Sequence, residues 1–154
     1  MASLPVDHFV KSLSYTKVSY LDEYPGIDPT SSSLSQEGKI VIVTGASRGI
    51  GQRGFAKQFA RANAKGIVLV ATNASKLAET EQLVHEYNEK VQVLSVAVDI
   101  SKEDQVKSLF KQIQAKFGCH ADVLVQNAAA NLTWEWPGPG LKGTDTENWW
   151  REFV

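Results

Sequence analysis

Four short runs of β-branched and aliphatic residues, separated by longer stretches of helical character, limit this chain to very few architectures. The runs are Ile40-Val41-Ile42-Val43, Ile67-Val68-Leu69-Val70, residues 91–98 and Val123-Leu124-Val125. They show little polar and apolar alternation, which suits strands covered on both faces, as in a parallel sheet between two helix layers. Residues 75–90 place Leu77, Val84 and Tyr87 near one stripe, and Val106, Leu109, Phe110, Ile113 and Phe117 follow the spacing of an amphipathic helix. Ser101 with Asp104 predicts an N-cap with its reciprocal acid, and Gly118 predicts the C-terminal stop. The order is βαβαβαβ. With right-handed crossovers this gives an α/β fold with a doubly wound parallel sheet, whose ligand crevice lies beyond the C-terminal ends of the strands.

The segment Thr44-Gly45-Ala46-Ser47-Arg48-Gly49-Ile50-Gly51 follows the first strand directly and opens the first helix. Glycines there permit a tight turn, let a pyrophosphate approach the backbone without Cβ contacts, and let helix and strand pack closely. Exposed N–H groups and the positive end of the helix dipole would face the phosphates. A glycine-rich turn by itself also serves as a purely structural loop; the strand-turn-helix setting favours binding. Residues 1–37 differ from the rest. Pro5, Pro25, Pro29 and the run Thr30-Ser31-Ser32-Ser33 lack sustained periodicity and read as an irregular leader. That leader is either a mobile arm or a segment docked through Phe9, Val10 and Leu13. Residues 38–154 are expected to form an incomplete dinucleotide-binding domain.

The spacing Gly45-x-x-x-Gly49-x-Gly51 after Thr44 resembles the short-chain dehydrogenase/reductase family. Asp99-Ile100 at the end of the third strand and Gln126-Asn127-Ala128-Ala129 at the end of the fourth are similar to further family motifs, and Trp149 and Trp150 match a helix that commonly carries an aromatic residue. The resemblance covers residues 38–154 and implies a Rossmann-like fold. It also implies a cofactor site built from Gly45, Ser47, Arg48, Gly49, Ile50, Gly51, Thr72, Asn73, Asp99, Ile100, Asn127, Ala128 and Ala129. Asp99 would sit beside the adenine, although a turn-forming strand end is the simpler reading of its position. Asn127 would line the cofactor and steady the sheet, and the second role needs no ligand.

A ribose with a free 2′-hydroxyl is typically held by an acidic residue at the end of the second strand. That stretch reads Ala71-Thr72-Asn73, without a carboxylate, while Arg48 sits in the glycine turn and Lys76 lies nearby in sequence. The charge pattern predicts NADP, with NAD as second choice, unless Arg48 is merely solvated. The family's catalytic Tyr with a Lys four residues later is absent; Tyr87 and Lys90 are three apart, in a polar helix. The expectation is therefore an NAD(P)-dependent oxidoreductase interconverting a hydroxyl and a carbonyl on a small molecule, apparently truncated after the fourth strand and following helix. This chain would hold the cofactor without the catalytic residues. The alternatives are a non-catalytic dinucleotide-binding module and a nonfunctional fragment. A complete protein would form a homo-oligomer by the same resemblance.

Three departures bear on the site. Ala129 stands where the family has Gly, which disfavours a positive φ there. The first helix, residues 52–64, carries one extra residue near Arg53, which predicts a bulge. Trp134 and Trp136, in the loop after the fourth strand, either face a substrate or plug local core.

The balance of 16 Lys plus Arg against 17 Asp plus Glu leaves a formal charge of -1, so there is no bulk positive field for nucleic acid or an anionic membrane. No run approaches the roughly 18 apolar residues of a membrane span, and the N-terminus lacks the order of a secretory signal. With one cysteine, Cys119, and three His, neither a disulfide nor a metal cluster is expected, which fits a reducing, cytoplasmic setting.

Overall fold

The computed structural model describes Val18, Tyr20 and residues 22–129 and 145–147. Expectations resting on Phe9, Val10, Leu13, Trp134, Trp136, Trp149 and Trp150 lie outside the described residues. Strands β1 (Ile40–Thr44), β2 (Gly66–Ala71), β3 (Gln92–Ala97) and β4 (Val123–Val125) form one parallel sheet in the order β3-β2-β1-β4. Val41 pairs with Ile67 on one side and Val123 on the other, and Ile67 pairs in turn with Val93. After β1 the chain first builds β2 and β3 outward, then returns to lay β4 on the opposite side. The reversal lies between β1 and β4, where an open α/β sheet splays a crevice at its C-terminal edge.

Burial explains the unbroken apolar runs. Val41, Val43, Ile67 and Leu69 point to one face, against Ala56, Ala60, Leu77 and Val84. Ile40, Ile42, Val68 and Val70 point to the other, against Leu109 and Ile113. Both faces of β1 and β2 are thus dry, and alternation has no reason to appear. Helix α2 (Ala74–Tyr87) buries Leu77, Thr80 and Val84. Tyr87, expected on that stripe, is half-exposed, and its ring carries the Lys57 ammonium 4.8 Å from the centroid. Helix α3 (Glu103–Phe117) buries Leu109 and Ile113 and leaves Phe110 half-exposed. It ends at Gly118 with φ 70, the left-handed stop that its sequence predicts.

The bulge in the first helix is present. Ile50–Ala56 is π-helical and runs directly into α1 (Lys57–Arg61). The cause is the spacing of the small buried residues Gly51, Ala56 and Ala60, which is five and then four. At 100° per residue an α-helix would place Gly51 and Ala56 about 140° apart; one wide turn returns them to the same face.

The described part of the leader is fastened to the end of α1. Arg61 forks onto Glu23, with Nη1–Oε2 at 2.6 Å and Nη2–Oε1 at 2.9 Å. The Gln36 N–H donates to the Ala62 carbonyl at 2.7 Å. The Arg61 hydrogen bond, and secondarily its charge, hold the Glu23 carboxyl below the ordinary carboxylate range. A depressed carboxylate stabilises the fold above its unfolded-state pKa, and that contribution is lost as pH falls through the lowered folded value. Arg61→Met is therefore expected to lower the protection of the Gln36 amide, its exchange rate relative to the intrinsic rate at the same pH, several-fold at neutral pH, and acidification should lower that protection in the unaltered protein. Equal exchange in both proteins across the titration would refute the fastening role.

Candidate functional site

Because all four strands run the same way, the stretches after them meet at one edge of the sheet. The glycine turn follows β1, Thr72-Asn73 follows β2, Asp99-Ile100 follows β3 and Asn127-Ala128-Ala129 follows β4. The three glycines of the turn are needed for different reasons. Gly45 has φ 66, and a Cβ there would lie 2.9 Å from both the Ala128 Cα and the Asn127 Nδ2. At Gly51 a Cβ would run into the Gly45 carbonyl, so the first turn of the helix lies directly on the loop. Gly49 has open space around it but φ 58, which L side chains rarely adopt. Beyond Gly49 the surface is exposed: Arg48, Gly49 and Ile50 face outward, whereas Ser47 is half-buried.

Thr44 ties the two sides of the crevice together. It is 6% exposed, and its hydroxyl donates to the Val125 carbonyl at 3.3 Å and accepts from the N–H groups of Asn127 and Ala128, both at 3.0 Å. Asn127 Nδ2 returns the contact by donating to the Thr44 carbonyl at 3.0 Å. The side chain of Asn127 is thus committed to the sheet end and the glycine turn. Ala129 is exposed, and among the described residues Asn63 is the one non-glycine with positive φ. The methyl of Ala129 therefore meets no backbone conflict.

The β2 and β3 ends hold less freely disposed groups than the sequence suggests. Asn73 is the N-cap of α2, its Oδ1 accepting from the Lys76 N–H at 3.0 Å and from the Ser75 hydroxyl at 2.8 Å. Lys76 does not reach toward the turn; its ammonium pairs with Glu79 at 2.8 Å. Arg48 enters no ion pair among the described residues. Ser101 is not the cap of α3. Lys102 occupies that position without a side-chain hydrogen bond, and the Ser101 hydroxyl instead donates to Asp99 Oδ1 at 2.7 Å. Asp99 Oδ1 also accepts from the Ser101 N–H at 3.0 Å, and the Asp99 N–H donates to Gln105 Oε1 at 2.9 Å. The two Ser101 hydrogen bonds, with a smaller contribution from the Lys102 charge, keep the Asp99 carboxyl below its ordinary range. An ionised, half-buried acceptor is therefore held at the end of β3.

Sequence reasoning does not reach Thr80 or Gln52. Thr80 is fully buried, with its hydroxyl 2.9 Å from the Ala46 carbonyl and 3.0 Å from Gln52 Nε2. The available signal is a hydroxyl three residues after Leu77 and four before Val84, inside an apolar stripe.

The family model for short chain dehydrogenases matches residues 39–153. A short chain dehydrogenase of Monascus purpureus, mpl6, is 35% identical over 147 residues, covering 92% of this chain and 48% of its own length. Human 15-hydroxyprostaglandin dehydrogenase [NAD(+)] is 32% identical over 99 residues, covering 64% of this chain and 36% of its own. The crystal structure of L-sorbose reductase from Gluconobacter frateurii, complexed with NADPH and L-sorbose, superposes with a TM-score of 0.64 at 32% identity, over 78% of this chain and 43% of that one. The chain belongs to the short-chain dehydrogenase family, a class of oxidoreductases. It spans about half the length, or less, of the curated relatives it matches. No described helix is long and apolar enough to cross a membrane.

Proposed function

We propose that residues 38–154 hold a nicotinamide dinucleotide, with NADP preferred over NAD, for an oxidoreductase that interconverts a hydroxyl and a carbonyl on a small molecule in the cytoplasm. The observation that carries the reading is the cradle itself: Gly45 and Gly51 lie where any Cβ would strike backbone, and Gly49 adopts a φ that L side chains rarely take. The backbone of Ser47, Arg48, Gly49, Ile50 and Gly51 receives the pyrophosphate at the opening of the helix. Asp99 and Ile100 flank the adenine, with the Asp99 carboxylate accepting from its amino group. Thr72 and Asn73 lie by the ribose, and Asn127, Ala128 and Ala129 line the nicotinamide side. When bound, the nicotinamide gives or takes the hydride. The 154 residues contain no Tyr-x-x-x-Lys pair, so we place the proton-transferring groups outside this sequence and expect the chain alone to be catalytically silent.

The preference for a 2′-phosphate rests on Arg48. It is exposed and free of ion pairs among the described residues, no carboxylate follows β2, and Lys76 is engaged by Glu79. One charge-assisted contact corresponds to roughly a tenfold to hundredfold difference in affinity. Calorimetric titration should give tighter binding of NADPH than NADH, and Arg48→Ala should remove most of that difference while leaving NADH affinity nearly unchanged. A preference for NADH in the unaltered chain overturns the cofactor assignment.

A further inference from the structure

We propose that Thr80, oriented by Gln52, is a positioning residue for the glycine turn: by drawing the Ala46 carbonyl toward α2 it aims the Ser47 N–H into the dinucleotide crevice. The inference rests on the dinucleotide-binding reading above and adds residues that lie behind the turn rather than in contact with a ligand.

A threonine hydroxyl has one proton and two lone pairs. Gln52 Nε2 donates into it at 3.0 Å, which leaves the proton to be given either to the Ala46 carbonyl at 2.9 Å or to the Lys76 carbonyl at 3.1 Å. The Lys76 carbonyl lies four residues before Thr80 in α2 and so already accepts the Thr80 backbone N–H. The Ala46 carbonyl has no backbone partner among the described residues. The shorter, otherwise unfilled acceptor takes the proton. On the other side of the same residue, the Ala46 N–H donates to the Val70 carbonyl of β2 at 3.1 Å.

Both peptide units flanking Ala46 are thereby fixed, one to the sheet and one to α2. In a trans peptide the C=O and the next N–H point in opposite directions. A carbonyl of Ala46 held inward sends the N–H of Ser47 outward, on the side where Arg48, Gly49 and Ile50 are exposed. Gln52 approaches from the opposite side: with Arg53, Lys57, Glu79 and Glu86 it lines an open groove of about 450 Å³ between the first helix and α2. The wide π-helical turn at Ile50–Ala56 includes Gln52 and keeps buried Gly51 against the loop. The polar contact across the groove and the close contact with the loop thus come from adjacent residues.

The test is Thr80→Val, nearly isosteric and without the hydroxyl, beside Thr80→Ser, which keeps it. Two readouts are taken on the full chain: NADPH affinity, and amide exchange of Ala46 and Gln52 with no ligand present. Thr80→Val is expected to weaken NADPH roughly tenfold and to speed exchange of both amides at least threefold, whereas Thr80→Ser should stay near the unaltered protein in both. Unchanged exchange and affinity in Thr80→Val overturn the proposal. If the unaltered chain binds no NADPH, the dinucleotide reading fails by itself, and the exchange data still decide whether Thr80 orders the turn. Should Thr80→Val not fold, Gln52→Leu replaces it: faster Ala46 exchange supports the role, and unchanged exchange overturns it.

Discussion

Gly51→Ala is expected to abolish measurable dinucleotide binding and to lower the melting temperature by about 5–10 °C. The added methyl would occupy the position of the Gly45 carbonyl, and it would also lie 2.8 Å from Asn127 Nδ2. Neither neighbour is the free end of a flexible chain. Gly45 is held by its own close approach to Ala128, and Asn127 is bonded to the Thr44 carbonyl. Something must move, and overpacking of this kind costs about 1–3 kcal/mol. For a domain of this size each kcal/mol corresponds to roughly 4 °C in Tm. Moving the Gly45 carbonyl displaces the whole turn, so the loss in affinity should be at least about 100-fold, the scale on which small misplacements act at preorganised sites. Gly54→Ala is the control. There a Cβ would meet only the Cγ2 methyl of the exposed Ile50, 3.3 Å away, and the gain in helix propensity of up to about 1 kcal/mol should offset any adjustment. Affinity close to that of the unaltered protein in Gly51→Ala would contradict the cradle.

Thr44→Val is expected to destabilise the crevice by about 1–3 kcal/mol, because it takes the hydroxyl partner from the Ala128 N–H and leaves the Asn127 N–H and the Val125 carbonyl only the 3.1 Å contact between them. The hydroxyl serves the Val125 carbonyl and the N–H groups of Asn127 and Ala128, and these hold the end of β4 against the end of β1. β4 is three residues long and pairs with β1 alone among the described strands. Its start is tied to Ile40 through Asp122, and Val123 and Val125 pack on the core, but Leu124 is 58% exposed, so the Thr44 hydroxyl is the side-chain tie at the other end. Chemical denaturation should show the loss, with Thr44→Ser recovering most of it by restoring the same donor and acceptors. A change under 1 kcal/mol in Thr44→Val would mean that the sheet end is held by other contacts.

The parts of the fold that were legible in the sequence are those with a single physical cause. Residues 40–43 and 67–70 read as strands because helices cover both faces, and the pattern has no second explanation. The bulge near Arg53 was legible only through the family resemblance, against which the first helix is one residue long; the structure adds the physical reason, Gly51 and Ala56 five residues apart and both buried. Competition defeated other readings. Ser101 has the composition of a cap, but Asp99 two residues earlier offers a closer acceptor for both its N–H and its hydroxyl, and the helix begins one residue later at Glu103. Lys76 looked available to the crevice, yet Glu79 stands one helical turn away on the same face. Tyr87 follows the apolar stripe of α2 but ends over Lys57, where a ring can stay half in water. At the site, the glycines announced themselves by type and spacing. Thr80 did not, because its partner Ala46 lies 34 residues away and becomes a neighbour only once α2 packs on the sheet.

The account depends on the backbone of the glycine turn embracing a diphosphate, and amide-resolved NMR with NADP titrated into the full chain tests that most directly. The expected result is saturable shifts of the amides of Ser47, Arg48, Gly49, Ile50 and Gly51, joined by Asp99 and Ile100 at the far end of the same edge. Saturable shifts confined to the groove between the first helix and α2, or none at all in a folded protein, would contradict it.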